Sequence, residues 1–185
     1  MPAPISDYVP QSVAHRSPRG DGRALAVWGA VAAGALAFLG LIFSAPLMQA
    51  RGSVLWSHAV YQAFGVVCHQ MPERSFHFGG YPLAVCARCA GLYAGFAAGV
   101  LLYPLVRSVA RADAPRRTWL FAAAAPLAAD FALGFLGVWE NTHLSRSTTG
   151  ALVGMASVFY VIPGLVDLSR MSRRHFFLAR PSERG

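Results

Sequence analysis

The composition of this chain excludes a soluble globular protein. Its 185 residues are 55% hydrophobic and only 13% charged, with a mean hydropathy of +0.44. Soluble domains carry about 25% charged residues, so the composition indicates a membrane protein whose first partner is the lipid bilayer. The net charge of +8 does not indicate nucleic-acid binding, because the arginines cluster at the ends of apolar segments rather than beside aromatic residues.

The N-terminal region contains two kinds of segment. Residues 1–23 are rich in proline and have no periodic apolar pattern, which predicts a disordered cytoplasmic leader. Residues 24–43 are apolar and predict the first membrane span. A cleaved signal peptide ending at Ala50 is the alternative, but its apolar core would be only about 7–15 residues long, and Met48 fits a cleavage site poorly.

Three later segments, residues 83–106, 119–138 and 148–166, also reach the roughly 20 apolar residues that a spanning helix needs. Only a helix satisfies its own backbone hydrogen bonds in lipid. The sequence therefore predicts an all-α fold, an integral membrane four-helix bundle. The apolar run 54–67 is too short to span and carries polar side chains, so it predicts an additional short interfacial helix or half-helix.

Arginines are concentrated on one predicted side of the membrane. They precede the first span, fill the loop after the second and follow the fourth, whereas the opposite loops hold only Arg51, Arg74 and Arg146. The positive-inside rule therefore predicts a plasma (inner) membrane protein with cytoplasmic N and C termini. Residues 24–167 form the four-span domain with an extracytoplasmic Cys/His loop, and residues 168–185 form a basic cytoplasmic tail.

Glycines recur every four residues in the second and fourth spans. This spacing lets helix backbones approach closely in lipid and predicts two packing faces. The alternative is that the glycines leave room for a lipid or quinone. The residues concerned are Gly91, Gly95, Gly99, Gly150 and Gly154.

All three cysteines surround one short loop. Cys68 precedes His69, and Cys86 and Cys89 form a Cys-x-x-Cys pair near the start of the second span. Thiolates and an imidazole form a tetrahedral ligand set that suits zinc. His69 is the first candidate for the fourth ligand, and His77, which precedes a glycine turn, is the alternative.

Charged residues around this loop are candidates for supporting the metal. Three thiolates, a neutral imidazole and a divalent cation leave one negative charge, which is costly near lipid unless a cation compensates it. Arg74 and Arg88 can provide that cation. Asp130, near the middle of the third span, also needs a cationic partner, either Arg88 or Arg146. The pair would be purely structural, or Asp130 would have a catalytic or transport role.

Four polar residues are expected on the same membrane side: Glu140, Asn141, His143 and Arg146. An ordinary solvated loop is the favoured interpretation, with Asn141 supporting the site. In the functional alternative, His143 or Glu140 acts as a general base towards a metal-bound water, and Asp130 and Arg146 complete the catalytic candidates. That alternative requires an open coordination position, which a closed Cys3His set does not provide.

Two further interpretations of the cysteines remain open. Cys86 and Cys89 could form a reactive disulfide, with Cys68 as the shuttle cysteine and a quinone as the electron acceptor. Arg88, which lies between Cys86 and Cys89, would lower the pKa of a thiol. The odd number of cysteines counts against a complete relay. The other interpretation is that the cysteines are merely small buried apolar side chains.

These motifs resemble the family known as domain of unknown function 2085, small bacterial and archaeal integral membrane proteins. The resemblance covers about residues 68–154. It rests on Cys68-His69-Gln70, Pro72, Arg74-Ser75-Phe76, Pro82, Cys86-Ala87-Arg88-Cys89 and Gly91, with weaker similarity at Asp130, Asn141, Arg146 and Gly150. It implies a multi-pass membrane protein without an assigned reaction.

The sequence thus predicts a multi-pass membrane protein with a Cys3His zinc site at its extracytoplasmic face. The site would be structural or functional, and the protein would bind a lipid, a quinone or a small substrate. Whether it is an enzyme is left open. The alternatives are a quinone-linked thiol-disulfide oxidoreductase that uses Cys86 and Cys89, and a scaffold or assembly factor of a membrane complex whose protein partners are unknown.

Overall fold

A computed structural model describes residues 18–178 of the chain, with side chains described for residues 22–171. The predicted all-α fold is confirmed. The helices are α1 (Pro18–Ala50), α2 (Val54–Gly65), α3 (Ala87–Val106), α4 (Arg117–Phe135) and α5 (His143–Leu178). Between α2 and α3 lie a short 3-10 turn (Pro72–Arg74) and a small antiparallel hairpin of β1 (His77–Phe78) and β2 (Tyr81–Pro82).

Four helices in the described part of the chain are long and apolar enough to cross a membrane. They are Gly22–Ala50, Ala87–Val106, Arg117–Phe135 and His143–Met171. The four predicted spans are therefore confirmed as helices of spanning length. Helix α2 has 12 residues, or roughly 18 Å at 1.5 Å per residue, so it is the additional short helix that the sequence predicts.

Several predicted boundaries differ from the structure. Helix α1 begins at Pro18, so the last residues of the predicted leader 1–23 are helical, and residues 1–17 lie outside the described part. Helix α5 continues through Leu178, so much of the predicted tail 168–185 is helical, and residues 179–185 lie outside. The fourth span thus begins earlier and extends further than its apolar core.

The predicted start of the second span at residue 83 is wrong. Residues 83–86 are not helical, and α3 begins only at Ala87. Leu83, Ala84 and Val85 are nevertheless fully buried, in a cluster with Ile42 of α1. A short apolar run has the same composition whether it is a buried extended segment or a helix, so periodicity cannot distinguish the two.

The glycines confirm the predicted close packing of α3 on α5. A Cβ on Gly91 would collide with the backbone carbonyl of Ser147, and a Cβ on Gly154 would collide with that of Leu92. Backbone approach this close needs residues without side chains. The remaining glycines of the two series also face backbone or side-chain atoms of the partner helix, so α3 and α5 form the tightest pair.

The other helices are arranged around that pair. Helix α1 packs against α2, α3 and α5, while α4 packs mainly on α5. Within the described residues, no residue of α4 is fully buried, so α4 lies at the edge of the bundle. The cysteine loop is anchored by the hydrophobic cluster at the C-terminal end of α1. A second cluster joins the N-terminal half of α1 to the far ends of α3 and α5.

Candidate metal centre

The loop between α2 and α3 is held closed by Gln70. This residue has a positive backbone φ of 50°, a conformation that residues other than glycine rarely adopt. Its side-chain amide donates to the carbonyl of Tyr61 at 2.8 Å and to that of Ala84 at 2.7 Å. Gln70 therefore joins the end of α2 to the segment that precedes α3, and these are the two parts of the chain that carry the cysteines.

The small hairpin strengthens the same closure. The backbone N–H of Leu83 donates to the carbonyl of Phe76 at 2.7 Å, and the Tyr61 hydroxyl donates to the Pro82 carbonyl at 2.5 Å. The buried Ser75 hydroxyl donates to the Met71 carbonyl at 2.8 Å, which closes the 3-10 turn. Strand β2 is thus held against α2, and the chain continues from it through residues 83–85 to Cys86.

The three cysteine sulfurs lie together. The Sγ atoms of Cys68, Cys86 and Cys89 are all within 4.8 Å of one another, and all three residues are free thiols. The backbone N–H of Cys86 donates to Sγ of Cys68 at 3.2 Å. Since Zn–S bonds of about 2.3 Å place two sulfurs of a tetrahedral site about 3.8 Å apart, a small contraction would suffice. The three cysteines could therefore hold a metal ion.

The surroundings of Cys86 favour the thiolate, which is the form that binds metals. Cys86 is the N-cap residue of α3. A hydrogen bond from the Cys89 thiol lowers the pKa of Cys86 to about 5, against the opposing effect of burial, and the backbone N–H groups of Cys89 and Arg88 contribute in the same direction.

Neither candidate histidine belongs to the group of mutually close ligand atoms in the described part of the chain. His69 is exposed but lines the same cavity as the cysteines. His77 is an exposed residue of β1 and is not among the lining residues. The identity of a fourth ligand stays a prediction, and the cavity favours His69 over His77.

The cysteines open onto a cavity of about 400 Å³ whose wall includes three arginines. It lies between the cysteine loop and the first turns of α3 and α5, and Phe131 of α4 closes one side. Most of its wall is apolar, but it carries three arginines, whereas two other cavities in the described part of the chain have no charged lining residue. Its lining residues are Val67, Cys68, His69, Gln70, Met71, Arg74, Cys86, Arg88, Cys89, Phe131 and Arg146.

Asp130 is paired with Arg88, the first of its two predicted partners. The Arg88 guanidinium donates to the Asp130 carboxylate at 2.5 Å, and the Asp130 side chain is 8% exposed. The same guanidinium lies 5.6 Å from the ring centroid of Phe131, at a distance typical of a cation–π contact. Sequence reasoning missed Phe131, which shares no motif with the cysteines and is brought to the cavity by the packing of α4 on α5.

The polar residues after α4 have separate positions. The Asn141 amide donates to the Asp130 carbonyl at 2.5 Å, and the Arg146 Nε donates to the Asn141 carbonyl at 3.3 Å. Arg146 lines the cavity, whereas neither Glu140 nor His143 is among its lining residues. The His143 ring packs instead on Phe76, with 5.6 Å between ring centroids.

Gln70 was also missed as a functional residue. In the sequence Gln70 is only the third residue of the Cys-His-Gln motif, and that adjacency is the sole signal for its role. Its two acceptors are distant in sequence, so the motif alone does not show that the amide bridges them.

Comparison with known proteins supports this picture of a membrane protein. The family described as predicted membrane protein (DUF2085) matches residues 68–160. An uncharacterized protein of Methanocaldococcus jannaschii is 36% identical over 127 residues, covering 66% of this chain and 81% of that protein. An uncharacterized protein of Methanothermobacter thermautotrophicus is 33% identical over 109 residues, covering 58% of this chain and 96% of that protein.

No solved structure matches the chain. The family match begins at Cys68 and includes all three cysteines, both members of the Arg88–Asp130 pair and Arg146. The resemblance noted from the motifs is thereby confirmed, and the chain belongs to the DUF2085 family of predicted membrane proteins.

Proposed function

We propose that this multi-pass membrane protein binds one zinc ion through Cys68, Cys86 and Cys89, with His69 as the fourth ligand. The observation that carries the proposal is the mutual approach of three sulfurs, within 4.8 Å, from two separate parts of the chain. Zinc suits three thiolates and an imidazole, and it does not require a redox change. The metal would fix the loop onto the start of α3.

The charges around the sulfurs are consistent with a thiolate-bound metal. A zinc ion with three thiolates and a neutral imidazole carries one negative charge, which needs a nearby cation. Arg88 is already paired with Asp130, so its charge is balanced by that carboxylate and not by the metal centre. Arg74 and Arg146 line the same cavity and supply the compensating positive charge.

In this proposal the site faces the extracytoplasmic side of the plasma membrane, and both termini are cytoplasmic. The support is the distribution of arginine: the loop between α3 and α4 and the end of α5 are rich in arginine, and the cysteine side has few. The cavity next to the metal would receive a lipid, a quinone or a small substrate. The proposal assigns binding and no reaction, because four protein ligands leave no position for an attacking water.

Elemental analysis of the purified full-length chain in mild detergent tests the proposal. We expect about one zinc per chain, lost in each of the single substitutions Cys68→Ser, Cys86→Ser and Cys89→Ser. His69→Ala should release zinc to a chelator faster than the wild type does, and His77→Ala is the matched control. A reduced wild-type protein without metal, or cysteine variants that retain zinc, would overturn the proposal.

A second candidate is a thiol-disulfide oxidoreductase. The observation in its favour is that a Cys-x-x-Cys pair at the start of a helix, Cys86 and Cys89, has a third thiol beside it. A substrate thiolate would attack the Cys86–Cys89 disulfide and form a mixed disulfide. That attack releases one cysteine, and the second substrate thiolate then attacks the mixed disulfide, forms the substrate disulfide and releases the other cysteine. A quinone would accept the two electrons and two protons when the pair reoxidises.

Thiol counting and quinone reduction distinguish the two candidates. The oxidoreductase predicts one disulfide in the isolated protein, no metal, and quinone reduction that depends on a dithiol substrate and is lost in Cys86→Ser. The zinc proposal predicts three thiols that a chelator makes accessible to alkylation and no quinone reduction.

A further inference from the structure

The cavity beside the sulfurs has an excess of positive charge. Three arginines line it, Arg74, Arg88 and Arg146, and Asp130 is paired with Arg88 alone. Among the described residues, neither Arg74 nor Arg146 takes part in an ion pair. Two guanidinium groups in one cavity repel each other unless an anion lies between them.

We propose that this cavity binds a phosphate group, with Arg74 and Arg146 as its binding residues. The charged groups that act on Arg146 include Arg88, Arg74 and Asp130, so the arginines share one electrostatic environment although they come from the loop, α3 and α5. A guanidinium presents paired N–H donors that match two oxygens of a phosphate, which makes arginine a preferred residue for this ligand.

The excess charge persists when a metal is bound. The zinc centre proposed above would carry one negative charge, and Arg74 and Arg146 together carry two positive charges. Without the metal, the two arginine charges are unchanged. The phosphate site therefore names a ligand class for the proposed binding function but does not itself depend on zinc.

A buried donor and an apolar rim support the same ligand. The Nε of Arg88 is buried and has no hydrogen-bond partner in the described part of the chain, so a bound oxyanion could accept from it. Phe131, Val67 and Met71 are exposed at the cavity. A phosphate that carries an acyl chain, as in a phospholipid headgroup, would place that chain against this rim, whereas a free phosphate would use the arginines alone.

The experiment uses the full chain in maltoside detergent, which contains no phosphate. Binding of inorganic phosphate is measured by calorimetric titration at constant ionic strength, and binding of phosphatidylglycerol and of uncharged diacylglycerol by native mass spectrometry. The variants are Arg74→Gln and Arg146→Gln. The matched control is Arg117→Gln, an exposed arginine at the start of α4.

We expect phosphate or phosphatidylglycerol to bind the wild type at least about tenfold more tightly than either variant, since each removes a charge-assisted hydrogen bond. The control should bind like the wild type. Weakened binding of inorganic phosphate identifies a free phosphate, and weakened binding of phosphatidylglycerol alone identifies a lipid headgroup. The proposal is overturned if the wild type binds neither ligand, or if both variants bind the ligands with the same affinity as the wild type.

Two controls separate this inference from folding defects and from the zinc proposal. If Arg146→Gln does not fold, Arg74→Gln, on the exposed 3-10 turn, decides the result together with Arg146→Lys, which keeps the charge. Zinc is measured on the same samples. Phosphate bound without zinc contradicts the metal proposal alone, and zinc retained without arginine-dependent phosphate binding contradicts this inference alone.

Discussion

The guanidinium of Arg88 and the carboxylate of Asp130 form an ion pair at 2.5 Å that joins α3 to α4. It matters because α4 packs mainly on α5 and has no fully buried residue within the described part of the chain. Arg88 lies between Cys86 and Cys89, so the pair also connects the sulfur cluster to the peripheral helix.

Removing one partner of this pair should destabilise the protein more than removing both. Asp130→Asn or Arg88→Gln leaves a buried group without its counterion, at a cost of about 3–5 kcal/mol. The double variant Arg88→Met with Asp130→Leu should lose less stability than either single variant, Arg88→Met or Asp130→Leu, because it leaves no buried charge unpaired. Detergent-titrated unfolding of all the variants measures the coupling. Strictly additive losses would show that the pair contributes nothing.

The glycine contacts predict position-specific effects of adding a methyl group. Gly91→Ala should destabilise the protein because its Cβ would meet the backbone carbonyl of Ser147, and a backbone atom cannot rotate away. Gly34→Ala, in α1, is the matched control because nothing lies within 4 Å of its Cβ. That control should be neutral or stabilising by about 0.5–1 kcal/mol. Thermal unfolding that ranks the two variants in the opposite order would contradict the α3–α5 interface.

Gln70 should determine how tightly the loop holds a metal. Gln70→Ala removes two hydrogen bonds to the carbonyls of Tyr61 and Ala84, at a net cost of about 1–3 kcal/mol for the two bonds together. Gln70→Glu should be worse, since a carboxylate would face two carbonyl oxygens. Zinc release to a chelator should accelerate in that order. Wild-type release rates in Gln70→Glu would show that the loop closes without this side chain.

Metal removal should expose the thiols together. With zinc bound, alkylation of Cys68, Cys86 and Cys89 should be slow, because each sulfur is engaged in coordination. A chelator should make all three reactive and lower the thermal stability, since binding free energy of the metal contributes to folding. Mass spectrometry of alkylated protein measures the count. Equal labelling with and without chelator would contradict a shared ion.

The sequence predicted the four spans because length and apolar content are local properties. It also predicted the approach of the cysteines, since the Cys-His-Gln and Cys-x-x-Cys motifs exhaust the cysteines of the chain. It did not predict that residues 83–86 are non-helical, because burial alone produces the same apolar run. The choice of Arg88 over Arg146 for Asp130 depends on how α4 packs on α5 beside α3, which no local pattern encodes.

The position of Gln70 shows the same limit at the site itself. Its hydrogen bonds reach nine residues back and 14 residues forward, and the positive φ at Gln70 has no signature in its residue type. The histidine ligand is a related case, because a side chain next to Cys68 can point towards or away from the sulfurs without any change in sequence pattern.

X-ray absorption at the zinc edge of the purified protein tests the central claim most directly. We predict three sulfur ligands at about 2.3 Å and one nitrogen ligand at about 2.0 Å, with the nitrogen lost in His69→Ala and retained in His77→Ala. A zinc ion with fewer than three sulfur ligands, or a protein whose cysteines form a disulfide and hold no metal, would contradict the account.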